Sequence, residues 1–452
     1  MEGMALSEKV LSTLCEEFEK NNHIDPKKYA QYDIKRGLRN ADGSGVKAGL
    51  TLISNVHGYV LSEGEKEPIE GSLIYRGINI NDLVEGCVRD DRFGYEETAW
   101  LLLLGALPTA AQLAGFSETL SELRELPAYF AKNTILRSPS PNIMNKMART
   151  VLALYAYDQD PDNTSMENVL RQSIELIAML PSIMAYAYYV KCQTFEQKER
   201  LFSLGARNLS TAEMILHAIR PDGVYTKQEA RLLDICLMLH AEHGGGNNST
   251  FAARVLSSSG TDTYSDISGA IGALKGPRHG GANIKVMEMV EQIEKGVKNW
   301  ESDGEVADFL TRILQKKEGD GSGLIYGMGH AVYTLSDPRA VILKKYAYDL
   351  AEKKGFGDEF RLLERIERLT QEVFQRQTGL EKIMCANVDM YSGLVYKALD
   401  IPVDLFTPLF AVARVAGWCA HRLEELLTGG RIIRPAYKAL VKEKPYIALS
   451  DR

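Results

Sequence analysis

Two histidines of this 452-residue chain are displayed in a way that core histidines rarely are. His279 sits in Gly276-Pro-Arg-His-Gly-Gly-Ala-Asn283, and His330 in the glycine-punctuated loop Ile325-Tyr-Gly-Met-Gly-His-Ala-Val332. Glycines let the backbone approach a ligand closely and leave each imidazole uncovered. The second loop matches neither G-x-G-x-x-G nor a P-loop, so phosphate cradling by either route is not expected. His240 and His243 fall three apart at the end of an apolar helix, in His240-Ala-Glu-His-Gly-Gly-Gly-Asn-Asn248. Such a pair can begin a zinc site, but the H-E-x-x-H spacing is missing and no cysteine lies nearby. A helix C-terminus also favours a protonated imidazole, so a cationic His243 facing an anion is expected, with His240 structural. Asp389, in Ala386-Asn-Val-Asp-Met-Tyr-Ser-Gly393, precedes a helix and reads either as its N-cap or as a reacting carboxylate. Arg414 interrupts an apolar run, so its guanidinium needs an acid or an anionic ligand. Arg339 follows His330 in Asp337-Pro-Arg, and Arg434, in Arg431-Ile-Ile-Arg-Pro435, reads by default as solvated surface. No Ser or Cys nucleophile stands beside a base. The set suits acid–base chemistry on a small polyanion gripped by arginines.

Helices must position these groups. Proline is scarce at 15 residues and apolar residues recur mostly at helical spacing, which predicts an all-α protein in two domains. Strand and hairpin character is confined to residues 55–78. An apolar helix is expected over Glu96–Leu107, stopped at Pro108, and a loop over 132–142. Thr226-Lys-Gln-Glu229 is a capping box opening a helix through Leu239, ended by the glycines at 244–246. Further helices are expected over 268–274 and, highly charged, over 344–378. Residues 316–323 read as a flexible loop.

Composition excludes several classes. Hydrophobic residues at 45% and charged residues at 25% are ordinary for a globular chain, and 452 residues bury a core without staples. A net charge of −7 gives no reason to expect nucleic acid or an anionic membrane as partner. Six cysteines without C-x-x-C read as reduced, buried thiols. The acidic amino end fits neither signal nor transit peptide, and the uncharged stretch 176–190 is short for a membrane span, so a cytoplasmic protein is expected.

The motifs resemble the citrate synthase family. Beyond those quoted, Ser72-Leu-Ile-Tyr-Arg-Gly-Ile-Asn-Ile80, Pro181-Ser-Ile-Met-Ala-Tyr-Ala187, Tyr391-Ser-Gly393 and Leu409-Phe-Ala-Val-Ala-Arg414 carry the similarity, in family order from about residue 70 to 435. The resemblance implies a nearly all-helical homodimer, with a large domain of 1–279 and 395–452 and a small inserted domain of 280–394. It implies an acyltransferase of the tricarboxylic acid cycle that condenses acetyl-CoA with oxaloacetate and hydrolyses the thioester to citrate and CoA. No metal or resident cofactor is implied, the CoA thioester being a substrate. Asp389 would take a proton from the acetyl methyl, while His279 donates a hydrogen bond to the thioester oxygen and His330 polarises the ketone. His243, Asn247, Arg339, Arg414 and the partner subunit's Arg434 would hold oxaloacetate. Ile325, Tyr326, Gly327, Met328 and Gly329 would meet CoA, and Phe410 the acyl group. Two alternatives stand beside this: 2-methylcitrate synthase using propionyl-CoA, and a metal-dependent hydrolase built on His240 and His243.

Overall fold

Thr226 caps the helix Lys227–His240 with the reciprocal pair that the sequence predicts: its hydroxyl accepts the Glu229 N–H, and the Glu229 carboxylate accepts the Thr226 N–H. The helix stops at His240, ahead of the glycines expected to end it. Other boundaries also shift for local reasons. The helix expected to reach Leu107 spans Tyr95–Leu104, because Gly105 at φ 86° closes its last turn before Pro108 is reached. The stretch expected as loop begins with a π-helical turn, Ala131–Leu136, where the Lys146 ammonium donates to the Thr134 and Ser138 carbonyls. The charged stretch is two helices, Pro338–Lys353 and Gly357–Thr378, separated around Gly355 at φ 81°.

This computed structural model describes residues 8–40, 42–62, 65–198, 202–379 and 383–452. Among these, the sheet is one antiparallel ribbon: β1 (Ser54–Ser62), β2 (Glu65–Tyr75) and the short β3 (Ile78–Asn79), in the order β1-β2-β3. Its register pairs Ser54 with Tyr75 and shifts between His57 and Tyr59. The remaining regular elements are helices, as the sequence predicts.

Two units separate by their internal packing. One is Met1–Gly49 with Arg434–Arg452; the other is Leu50–Ile433. In the larger unit the helix Phe406–Leu427 packs on Met166–Phe195, Tyr95–Leu104, Lys227–His240, Asn248–Ser257 and Thr263–Leu274. Met166–Phe195 and Val403–Leu427 are long and apolar enough to cross a membrane, yet 78% and 89% of their apolar windows lie inside the protein. They are core helices here. The helices Ala282–Gly296, Asp303–Leu314, Pro338–Lys353, Gly357–Thr378 and Val388–Ala398 pack mostly on one another. All six cysteines are free; five are buried as expected, but Cys15 is exposed.

Arg422 shows how the core accepts charge. Fully buried, it donates from Nε to Thr263 Oγ1 at 3.1 Å, from Nη2 to the Thr261 carbonyl at 2.7 Å and from Nη1 to Asp266 Oδ2 at 3.3 Å. Every arm has a partner. Arg422→Ala should therefore destabilise the chain by about 3–5 kcal/mol, the usual cost of stranding one half of a buried pair, read as a lowered denaturant midpoint.

Candidate active site

The site begins in the turn after Lys227–His240. Glu242, fully buried, is fixed from several sides: its carboxylate accepts from Ser54 Oγ at 3.0 Å and from the Gly244 N–H at 2.5 Å. The Tyr75 hydroxyl donates to its carbonyl at 2.9 Å. Behind it lies His421, also fully buried, with Nε2 3.0 Å from Glu242 Oε1. Arg254 Nε donates to His421 Nδ1 at 3.0 Å, so the ring proton sits on Nε2 and is given to Glu242. Arg254 in turn pairs with Glu424 and Glu425. Burial raises the Glu242 carboxyl, but His421 and Arg414 outweigh it and bring it down to about 2. This buried chain holds His243 in place.

Arg414 enters from Phe406–Leu427. It is fully buried, its Nε donates to the His240 carbonyl at 2.5 Å, and its guanidinium carbon lies 4.6 Å from the Phe410 ring centre. Among the described residues Nη1 and Nη2 have no hydrogen-bond partner. Burial lowers its pKa to about 10 against the pull of Glu242. Phe410 is a hub, with His240 at 4.3 Å and His279 at 6.5 Å between ring centres.

Two loops complete the site by lacing together. Gly329 N donates to the Cys385 carbonyl at 2.8 Å, Asn387 N to the Gly327 carbonyl at 2.9 Å, and Asn387 Nδ2 to the Gly329 carbonyl at 2.9 Å. Met328 and Ala386 form an antiparallel bridge. Gly327, at φ 82°, passes so near Met390 that an added Cβ would sit 3.1 Å from its Cα. Asp337 then joins both loops. It accepts Arg339 Nε at 3.0 Å and Nη2 at 2.7 Å, and the Val388 N–H at 3.2 Å. Ile325 is buried, and the Tyr326 hydroxyl donates to Asp320 at 2.6 Å.

His330 lies 5.0 Å from His243 between ring centres. Its Nδ1 accepts the N–H groups of Val332 and Tyr333, both at 3.1 Å, which places a proton on Nε2 as a donor. His279 Nε2 lies 3.0 Å from Ser249 Oγ, which also receives Trp418 Nε1–H at 3.2 Å and donates to Asn247 Oδ1 at 3.0 Å. With that single hydroxyl proton spent on Asn247, His279 donates through Nε2.

Several expectations need correction. Asp389 is not the N-cap; Asn387 fills that role, accepting the Asp389 N–H at 3.0 Å and leaving the Asp389 carboxylate to the site. Burial raises that carboxyl to about 6, with Arg339 and Arg414 opposing. His243 is not a cation: it lies beyond the helix end, and burial together with Arg339, His330 and Arg414 holds its pKa well below the usual histidine range. Burial and Arg414 likewise lower His279 to about 4. Among the described residues no group of three or more His, Cys, Asp or Glu is placed to hold a metal ion, and His240 lies against Phe410 and Tyr396.

His243, Asn247, His279, the 325–330 loop, Arg339, Asp389, Phe410 and Arg414 all lie in the larger unit; Arg434 belongs to the terminal unit, where it is exposed. Concavities of about 490 and 650 Å3 around Asp158 and around Arg207 contain none of these side chains. Sequence reasoning missed Glu242, His421, Ser249, Trp418 and Asp337. A signal existed for two: Arg414, Trp418 and His421 recur at i, i+4 and i+7, one helical face.

Because Arg414 lacks a carboxylate partner where Arg422 has one, Arg414→Met should behave oppositely. Its thermal midpoint should stay within about 2 °C of the parent or rise, since an uncompensated buried charge is removed. Thermal stabilisation by small dicarboxylates should vanish in the same variant, both read by calorimetry.

Residues 41–436 match the family described as citrate synthase, C-terminal domain. The chain is 33% identical to a citrate synthase of Synechocystis sp. over 89% of each chain. It is also 33% identical to a 2-methylcitrate synthase of Shewanella oneidensis, over 89% of this chain and 95% of that one. Its structure resembles a citrate synthase of Thermoplasma acidophilum solved as a ternary complex with carboxymethyl coenzyme A and oxaloacetate. There the TM-score is 0.73 at 26% identity, covering 93% of this chain and 99% of the other. With relatives aligned across nearly its whole length and a helical fold to match, the chain belongs to the citrate synthase family of acyltransferases.

Proposed function

We propose that the chain condenses acetyl-CoA with oxaloacetate and hydrolyses the citryl thioester to citrate and CoA. The observation that carries this reading is the buried, unpartnered polar set of Arg414 Nη1 and Nη2 and His243 Nε2, beside His330 and Asp389. Buried donors left bare cost free energy until a ligand supplies oxygens, and an α-keto dicarboxylate supplies several at once. Arg339 and Asn247 join that grip.

Asp389 removes a methyl proton from the thioester as the carbonyl oxygen takes up the electron pair. His279 stabilises that oxygen as a hydrogen-bond donor, a contribution of about 3–4 kcal/mol in a closed site. Its Nε2 is engaged with Ser249, so Nδ1 is the nitrogen left to face substrate. Nδ1 is the donor in the other neutral tautomer, which the ring reaches by losing its Nε2 proton to water and taking one from water at Nδ1. Ser249 then donates to Nε2 instead of to Asn247, a change favoured once Asn247 hydrogen-bonds the diacid. The enol carbon then attacks the ketone, and His330 Nε2–H delivers its proton to the new alkoxide. Water finally cleaves the thioester, releasing CoA. These side chains carry the chemistry without a metal or resident cofactor. Closure of a small domain, 280–394, holds water back until carbon–carbon bond formation, with residues 325–329 against CoA. The enzyme works as a cytoplasmic homodimer in which the partner subunit's Arg434 completes each site.

Propionyl-CoA is the second acyl donor to weigh, supported by the Shewanella oneidensis relative. One methylene against Phe410 is worth about 1–3 kcal/mol. Thiol release measured with acetyl-CoA and propionyl-CoA side by side decides between them; activity with neither overturns the proposal.

In that assay kcat/KM should fall about tenfold per pH unit below pH about 6, because only deprotonated Asp389 accepts the methyl proton. His279, lowered to about 4, stays neutral through that window and adds nothing to the limb. Asp389→Asn should lose kcat by at least about a hundredfold while oxaloacetate affinity is kept.

Refolding equal amounts of Arg434→Ala and Asp389→Asn chains together tests the shared site. Half the dimers are mixed with one intact site each, restoring about a quarter of wild-type sites. Activity no higher than the parental mean, with mixed dimers verified by mass spectrometry, removes Arg434 from the partner's site.

A further inference from the structure

Tyr333 carries a polar atom that the mechanism above leaves unused. Its side chain is 2% exposed, and the hydroxyl is buried with no hydrogen-bond partner among the described residues. The ring stacks on His330 with centres 4.6 Å apart and planes 25° apart, and meets His243 edge-on at 5.6 Å. The Arg339 guanidinium carbon lies 6.0 Å from its centre. Tyr333 therefore touches three groups assigned to the keto-diacid.

The ring is also held in place. β1 and β2 press against its loop through glycines: a Cβ at Gly58 would lie 2.9 Å from Tyr333 Cα, and one at Gly71 2.8 Å from its Cδ1. The Gly71 N–H donates to Ser336 Oγ at 3.1 Å. Three nearby polar groups already have partners of their own. Arg339 and Asp337 bond each other, and the Tyr75 hydroxyl serves the backbone of Met238 and Glu242. A phenylalanine would supply the same stacking surface without stranding an oxygen in the interior, which costs stability for a buried polar group. A fixed phenol whose ring meets two imidazoles and a guanidinium, and whose hydroxyl is bare, is arranged for a ligand oxygen.

We propose that the Tyr333 hydroxyl donates a hydrogen bond to an oxygen of the dicarboxylate keto acid held by His243, His330, Arg339 and Arg414. Tyr333 is thus a further substrate-binding residue. The assignment rests on the proposed function and sharpens it: the diacid is met by a neutral donor as well as by the arginines.

The test uses the full chain carrying Tyr333→Phe, with oxaloacetate alone titrated calorimetrically, followed by thiol release with saturating acetyl-CoA. The expected result is a Kd for oxaloacetate raised about ten- to a hundredfold, the range for a hydrogen bond to a charged group. The thermal midpoint of the unliganded protein should be unchanged or higher, and KM for acetyl-CoA unchanged. Unaltered oxaloacetate affinity overturns the inference. So does a fall in the unliganded midpoint of more than about 3 °C, which marks the hydroxyl as structural. An effect confined to acetyl-CoA overturns it too. The two readings fail separately: a wild-type chain that neither binds oxaloacetate nor releases thiol removes the proposed function, whereas wild-type binding matched by Tyr333→Phe removes only Tyr333.

Discussion

A guanidinium with two bare nitrogens, shut off from water, is the constraint around which the larger unit is arranged. Desolvating such a cation is expensive, and the mutual attraction of an ion pair normally offsets it. Among the described residues Arg414 has no carboxylate in contact. It is stabilised instead by Glu242 at longer range, by the His240 carbonyl and by the Phe410 face. That arrangement requires Glu242 to stay ionised in the interior, which His421 ensures, and His421 is oriented by Arg254. The chain of dependence runs from surface-proximal Glu424 and Glu425 inward to the bare arms. Glu242 is satisfied only through Oε1, its Oε2 being bare like the Arg414 arms, and the end of the chain is where a ligand belongs.

Much of this was legible in the residues. An arginine interrupting an apolar run already implied an unmet charge, and glycine-flanked His279 and His330 already implied display. Of the two readings of Asp389 the cap falls away, because Asn387 stands immediately before the helix and already accepts the Asp389 N–H. The expected charge on His243 failed for a different reason. Position at a helix end argues for protonation only when solvent and neighbouring cations are left out, and Arg339 and Arg414 lie too far along the sequence to be weighed from one helix. Glu242, although it sits between two flagged histidines, gained its meaning only when His421 was brought behind it. Helix limits moved by a few residues where glycine conformation, rather than proline, set the stop.

Neighbouring loops make the acid–base groups one mechanical body. Backbone bonds between 327–329 and 385–387, with the Asp337 carboxylate spanning both, place His330 and Asp389 on a common support. His330 and Asp389, the proposed proton donor and base, are thereby held at one spacing. Preorganisation of this kind is where much of the rate advantage of a closed polar site resides. His279 hangs from a different support, the Ser249–Trp418 pair, so its approach to the substrate is set independently of the laced loops.

The ribbon that braces the Tyr333 loop bears on how the chain matures during synthesis. Gly71 and Ser336 are bonded although 265 residues separate them. At a translation rate of about 5–20 residues per second, the ribbon emerges about 13–50 s before its partner. Throughout that interval the strand face with its two side-chain-free positions has nothing of the native contact to dock on. Contacts of such long sequence separation form late and slowly. The helix on which the core packs, Phe406–Leu427 with Arg414, emerges later still, so core and site are both completed only once residue 427 has been made.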